Sequence, residues 1–197
     1  MTEYTSAQQA AIEELDAPLQ LIACAGSGKT QVISQRISRI LNQPGIRPAN
    51  IIAFTFTEKA AAELKDRIYS IVKSEHGDLP GLAEMYVGTM HGYCLNLLQT
   101  YIPEAFKYGV LTEITQRLLI DRQSTKSGLT TCPSTAPSRP TLWRYADSKL
   151  YMQVLSILQE DEIDWDVIPE GLDASLKSYL TLLAQQKYFD YTSMIAG

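Results

Sequence analysis

The sequence predicts an α/β domain built on a parallel sheet, followed by a helical subdomain. Three observations carry this reading. Over residues 1 to about 105, segments of helical periodicity alternate with short apolar runs. A glycine-rich segment, ACAGSGKT at 23–30, lies between the first apolar run and the helix after it. Beyond Pro103 the strand-like runs stop, while helical patterns continue.

Taken in order, residues 5–15 read as a helix. Residues 19–24 form a short apolar run bounded by Pro18 and the glycine-rich turn, which predicts a buried strand. Residues 29–41 repeat apolar side chains at Val32, Ile33, Ile37, Ile40 and Leu41, the spacing of a helix face. After the connector NQPGIRPAN, residues 51–56 predict a second strand. Residues 58–73 predict a helix with Ala61, Leu64, Ile68 and Ile71 on one side. Residues 86–88 predict a third strand and 90–101 a further helix. Past Pro103, helical patterns cover roughly 113–122, 149–159, 173–186 and 188 to the end. Residues 124–141 hold nine Ser or Thr and three Pro, a composition that buries too little apolar area to offset its ordering entropy and predicts a mobile loop. The chain is therefore expected to divide into 1–105, the sheet domain; 106–186, a helical subdomain with its mobile loop at 124–141; and 187–197, a final helix.

Composition narrows the class. The chain has 197 residues, 45% apolar and 20% charged, enough to bury a core without a metal or disulfide staple. Cys24, Cys94 and Cys132 are far apart and form no CxxC pair, which fits a reducing compartment. No apolar run approaches the ~20 residues that cross a bilayer, and the acidic N-terminus is unlike a signal peptide; the expectation is a cytoplasmic protein without a membrane partner. The formal net charge of −5 argues weakly against nucleic acid as a partner. Its distribution is uneven: Arg117, Arg122, Lys126, Arg139, Arg144 and Lys149 face only Asp121 and Asp147 over residues 115–150, which leaves room for local positive surface.

ACAGSGKT reads as a phosphate-binding loop of the Walker A type. Gly26 and Gly28 would turn main-chain N–H groups toward phosphates at the positive end of the following helix. Lys29 would pair with the β and γ phosphates, and Thr30 would ligate magnesium. ATP with Mg2+ is the expected cofactor. Ala23 stands where the standard pattern has Gly, but the Gly-Ser-Gly-Lys-Thr core is intact.

Further along, TFTEKAAAEL (55–64) resembles the single-strand-contacting motif Ia of UvrD/Rep-like superfamily 1 DNA helicases, and GTMHGYC (88–94) is similar to the GTxHS/GxxC segment that follows it there. Gln8 and Gln9, in SAQQAAI, occupy the place of that family's glutamine motif. The resemblance covers residues 4 to about 101. It implies an incomplete RecA-like sheet of a P-loop NTPase, with 1–105 as the N-terminal part of motor domain 1A, 106–186 as an inserted subdomain 1B and 187–197 as a helix returning toward 1A. It also implies ATP-dependent 3′ to 5′ unwinding with single-stranded DNA as partner. The nucleotide set it implies is Gln8, Ala25, Gly26, Ser27, Gly28, Lys29, Thr30 and Gln31, with Gln8 on the adenine edge. Thr55, Thr57, Thr89 and His91 would donate to phosphates or sugar, Phe56 would stack on a base, and Lys59 would add charge.

Several of these residues have a second reading. Thr5 lies three residues before Gln8, a capping-box spacing, so Gln8 also fits a helix cap. Phe56 also fits a strand core, and His91 a satisfied, partly buried histidine. Gln31 stands where the family commonly has arginine. The acidic motif that would position magnesium has one candidate, Asp161-Glu162-Ile163-Asp164, which reads better as a solvated acidic loop. The expectation is thus the front portion of a longer helicase, needing the remainder of that protein or a partner chain, with little hydrolysis and no unwinding on its own. Two rivals stand beside it: a small phosphoryl-transfer kinase, which leaves TFTEKAAAEL unexplained, and a non-enzymatic nucleotide-binding or interaction module, which differs in turnover.

Overall fold

The computed structural model describes residues 3–160, 163, 166 and 168–196; of the acidic candidate, Asp161, Glu162 and Asp164 lie outside the described residues. The chain is a mixture of helices and short parallel sheets in two compact units, Met1–Tyr93 and Cys94–Gly197. Among the described residues no helix is long and apolar enough to cross a membrane.

In the first unit, α1 (Ser6–Glu13) starts at Thr5, whose hydroxyl accepts from Gln8 N–H while Gln8 Oε1 accepts from Thr5 N–H, a complete capping box. The second helix, α2 (Lys29–Leu41), begins at Gly28. Strand β1 (Ile52–Thr55) leads into α3 (Glu58–His76), whose N-cap Thr57 accepts from Ala60 N–H at 3.1 Å. Strand β2 (Tyr86–Thr89) pairs with β1 in parallel, Ile52 beside Tyr86 through Thr55 beside Thr89, so β1–α3–β2 is one crossover unit. Then α4 (Met90–Tyr101) follows β2 directly.

Side chains alternate across β1. Ala53 faces a core of Ile37 and Leu41 from α2, Leu64, Ile68 and Val72 from α3, and Met85. Each aliphatic side chain fully buried there contributes about 1.5–3 kcal/mol. Ile52 and Phe54, on the other face, remain half exposed; Phe54 meets Tyr86 and Tyr93 edge-on, at centroid distances of 6.2 and 5.5 Å.

One expected strand is not formed. Residues 19–24 carry no strand pairing, and Ile22 is 87% exposed. A strand is defined by its lateral hydrogen bonds, and β1 and β2 bond to each other, so among the described residues nothing pairs with this segment. Its anchor is instead Leu21, packed beside Ala11, Ile12 and Val32 between α1 and α2.

The second unit contains β3 (Gly109–Val110), α5 (Glu113–Arg122), α6 (Ser148–Glu160), α7 (Leu172–Gln186), β4 (Tyr188–Phe189) and α8 (Tyr191–Ala196). Its sheet pairs Gly109 with Tyr188 and Val110 with Phe189, again in parallel. Residues 188–189, expected to open the final helix, are therefore strand, and the helix starts at Tyr191. The main core gathers Leu111, Ile120, Leu142, Leu155, Leu176 and Leu183 around two buried tyrosines. Tyr151 donates to Ser127 O at 2.5 Å, and Tyr179 donates to Asp190 Oδ2 at 2.5 Å, where Gln116 Nε2 also donates at 2.9 Å.

Residues 124–141 contribute to this core, contrary to what their composition predicts. Leu129 and Cys132 are fully buried, and Leu142 N–H donates to Cys132 O at 3.0 Å. A Cβ at Gly128, where φ is +81°, would lie 2.7 Å from Ser175 O and 2.8 Å from the Tyr151 hydroxyl. The hydroxyl-rich residues are satisfied locally, as where Ser127 Oγ donates to Ser124 O at 3.2 Å, so two apolar side chains suffice to seat the segment.

Candidate functional site at the glycine-rich loop and the strand exits

The loop at 23–30 gets its shape from two glycines. Gly26 and Gly28 have φ of +77° and +83°, a conformation open to glycine at little cost. Ser27 closes the turn, its Oγ donating to Cys24 O at 2.7 Å. The Lys29 ammonium reaches back over the loop and donates to Ala23 O at 2.7 Å and Cys24 O at 2.6 Å. Thr30 is exposed at the first turn of α2, whose opening N–H groups have no acceptor within the helix. A Cβ at Gly26 would meet nothing within 4 Å, so the space over the loop is open. These residues fit a nucleotide polyphosphate with magnesium: open space, helix N–H donors, an ammonium held only by exchangeable main-chain carbonyls, and an exposed hydroxyl.

Gln8 forms the cap that its spacing from Thr5 predicts and also reaches the glycine-rich loop. Its Oε1 serves the cap of α1, and its Nε2 donates to Ser27 O at 3.0 Å, which fixes α1 against the loop. A Cβ at Gly28 would come within 3.2 Å of that same Nε2. Gln31, in the arginine position, donates to the Tyr4 hydroxyl at 3.1 Å and accepts from Arg67 Nη1 at 3.5 Å. A guanidinium therefore does stand beside Gln31, delivered by α3. Ala25 is exposed on the loop.

At the other end of α3 lie the strand exits. Phe56, one residue past β1, is fully exposed, which removes it from the core of this chain. Thr57 is occupied in capping α3, and Lys59 is exposed on its first turn. Thr55 and Thr89 end the paired strands side by side. The Thr89 hydroxyl donates to Glu58 Oε1 at 2.9 Å and accepts from Gly92 N–H at 3.1 Å. His91 is half buried at the start of α4.

Glu58 and Tyr86 belong to this cluster, although neither stands out in the sequence. Tyr86 donates to Thr89 O at 2.9 Å. Its ring lies over Gly88 and Gly92: an added Cβ would sit 2.5 Å from its hydroxyl at the first position and 2.9 Å at the second. The available signal was spacing, since Tyr86 and Gly88 share one face of the strand. The loop and the strand exits are joined through α3, with Glu58 at one and Arg67 at the other, roughly 14 Å apart along the helix at 1.5 Å per residue.

A family model described as the UvrD/REP helicase N-terminal domain matches residues 4–196. The ATP-dependent DNA helicase PcrA of Bacillus subtilis (strain 168) is 41% identical over 92 residues, which are 47% of this chain and 12% of that protein. The protein of the same name from Staphylococcus aureus (strain Mu50) is 32% identical over 127 residues, 64% of this chain and 16% of its own length. A probable DNA helicase II homolog of Mycoplasma capricolum is 37% identical over 92 residues, 47% and 12% respectively. The chain thus spans 12–16% of the length of these curated relatives.

Proposed function

The chain belongs to the UvrD/REP helicase N-terminal domain family, and from that premise we propose that it binds ATP with magnesium at residues 23–30 and contacts single-stranded DNA at the exits of β1 and β2, as the N-terminal part of a 3′ to 5′ DNA helicase. In this reading residues 1–105 are the beginning of a RecA-like P-loop domain, 106–186 are an inserted subdomain, and the last residues lead back toward the first. Further chain, or a partner chain, completes the sheet and the catalytic cleft.

The observation that carries the strand-contact half is Phe56. An aromatic ring fully exposed at a strand exit, beside Thr55, Thr57 and Lys59, costs solvation in the free chain and gains a partner when a base stacks on it, worth about 1–3 kcal/mol per base. Thr89 and His91 then offer side-chain contacts to the backbone that position a strand without reading its sequence.

For the nucleotide half, bound Mg-ATP supplies the phosphoryl group whose transfer drives the cycle. The chain's own part is positioning. Lys29 would give up Ala23 O and Cys24 O for phosphate oxygens and Thr30 would offer its hydroxyl to the metal, while Gln8 holds the loop from the side of α1 and would present its remaining amide donor. Gln31 and Arg67 close the nucleotide set. On its own the chain is proposed to hold nucleotide with little turnover and no unwinding.

The test is nucleotide binding and hydrolysis by the 197-residue chain, with and without single-stranded DNA, alongside Lys29→Ala. Magnesium-dependent binding that the substitution weakens at least tenfold is the expected result. Equal binding by both proteins would sink the assignment of the loop, and DNA-stimulated turnover that needs Lys29 would overturn the prediction of little hydrolysis.

A further inference from the structure

The second unit holds a turn at residues 143–147 that presents its aromatic side chains to solvent. Trp143 and Tyr145 are 58% and 61% exposed, whereas Leu142 before them and Asp147 after them are buried. Tyr145 has φ of +66°, a backbone conformation unfavourable for a bulky side chain, and it is clamped there from both sides. Its N–H donates to Asp121 Oδ1 at 2.9 Å, and its carbonyl accepts from Arg117 Nη2 at 3.3 Å. Trp143 N–H donates to Asp147 Oδ2 at 2.8 Å, and Arg139 pairs with that carboxylate at 2.7 Å. Backbone strain retained under such over-determination is a mark of functional positions.

The surface so built combines flat rings with positive charge. The Arg139 guanidinium lies 5.0 Å over the Trp143 ring, and that of Arg144 lies 4.5 Å over Tyr145. Arg117 and Arg139 serve the buried carboxylates of Asp121 and Asp147, whereas Arg144, against the Tyr145 ring, and Lys149, in the first turn of α6, are exposed and have no ion pair among the described residues. Rings that accept another ring, next to cations that accept phosphates, match an unstacked polynucleotide better than an apolar protein surface.

We propose that the Trp143–Tyr145 turn is a second contact for a nucleic-acid strand, with bases stacking on Trp143 and Tyr145 and the backbone meeting Arg144 and Lys149. The proposal rests on the reading of the chain as DNA-binding and adds a contact surface in the second unit.

The test uses a fluorescently labelled oligothymidylate and the full chain carrying Trp165→Phe, which leaves Trp143 as its one indole. Strand binding is followed by anisotropy of the label and by Trp143 emission, with Tyr145→Gly and Phe56→Ala added separately. Glycine relieves the positive φ, so Tyr145→Gly should melt no lower than its parent while deleting the ring. The expected result is quenching of Trp143 on binding, and affinity weakened between about fivefold and 150-fold by Tyr145→Gly, the span that loss of one stacked base gives. If the strand binds with Trp143 emission unchanged and Tyr145→Gly binding like its parent, the turn is not a contact, and a loss confined to Phe56→Ala keeps the strand-exit reading. If the parent binds no strand, both readings fall.

Discussion

Thr89 donates its hydroxyl to Glu58 Oε1 across 2.9 Å, tying the end of β2 to the first turn of α3. In the free chain the bond occupies the hydroxyl proton, so a phosphate must compete with Glu58 for it, and it places a negative charge where a strand is proposed to pass.

Replacing that charge should therefore strengthen strand binding. Glu58→Gln keeps an acceptor for Thr89 and removes the repulsion, worth about 0.5–1 kcal/mol for one charge at ordinary surface distances. The expected outcome is affinity for single-stranded DNA raised about twofold to fivefold at low salt, with the difference fading at high salt as screening sets in. Unchanged or weaker binding at low salt would mean that Thr89 depends on the carboxylate for its orientation.

Gly88 should be irreplaceable while Tyr86 is present. A Cβ at that position would meet the Tyr86 hydroxyl at 2.5 Å and the ring carbon beneath it at 2.7 Å, and the ring is held by Phe54 and by Tyr93 at 4.9 Å. Gly88→Ala is expected to cost about 1–3 kcal/mol in urea unfolding, the range for overpacking. In a Tyr86→Ala background the same change should cost less than about 0.5 kcal/mol, the non-additivity that a direct clash requires.

These two cases show what was legible in the sequence. The loop at 23–30, the α3 helix and the β1–β2 pair were readable because their signals are local: periodicity, a glycine pattern, a capping threonine. The strand at 19–24 was overread, since an apolar run shows a wish to be buried and says nothing about which neighbour supplies the hydrogen bonds. Residues 109–110 and 188–189 were missed because two residues carry no period and their pairing spans the whole second unit. Arg117 and Arg139 were counted toward a positive surface, whereas their guanidiniums serve the buried Asp121 and Asp147. At Phe56 the apolar run alone favours the core and the family resemblance favours an exposed ring; β1 ends at Thr55 and the ring is fully exposed.

Alkaline pH should loosen the second unit first. Burial raises Tyr151 and Tyr179 well above the ordinary phenol value, and the Asp190 carboxylate adds to the effect at Tyr179. The native state keeps both protons while the unfolded chain loses them above about pH 10, so stability falls as pH rises through that range. Thermal midpoints measured from about pH 8 to 11 should drop steeply in the parent. They should drop less steeply in Tyr151→Phe and Tyr179→Phe, each of which removes one linked proton.

On the acid side the corresponding group is Asp147. The hydrogen bond from Trp143 N–H holds its carboxyl below the usual range, with Arg139 acting in the same direction against burial. The unfolded chain takes up its proton first, so this contribution is complete above about pH 4 and is lost as pH falls through the lower native value. Urea midpoints of Asp147→Asn should lie below the parent near neutrality and converge with it in acid. Parallel curves would mean that the carboxylate charge is not what holds the turn.

The pairing of β3 with β4 also orders events in time on the ribosome. Gly109 and Val110 leave the exit tunnel long before Tyr188 and Phe189 are translated, so the second unit waits with its first strand unpaired. The β1–α3–β2 crossover closes over a much shorter stretch of chain and can fold during that wait. A nascent chain arrested before residue 188 would therefore protect the first unit from protease and leave the second open to it. The Ser/Thr/Pro-rich segment, seated only once α7 is present, would be the place where cleavage begins.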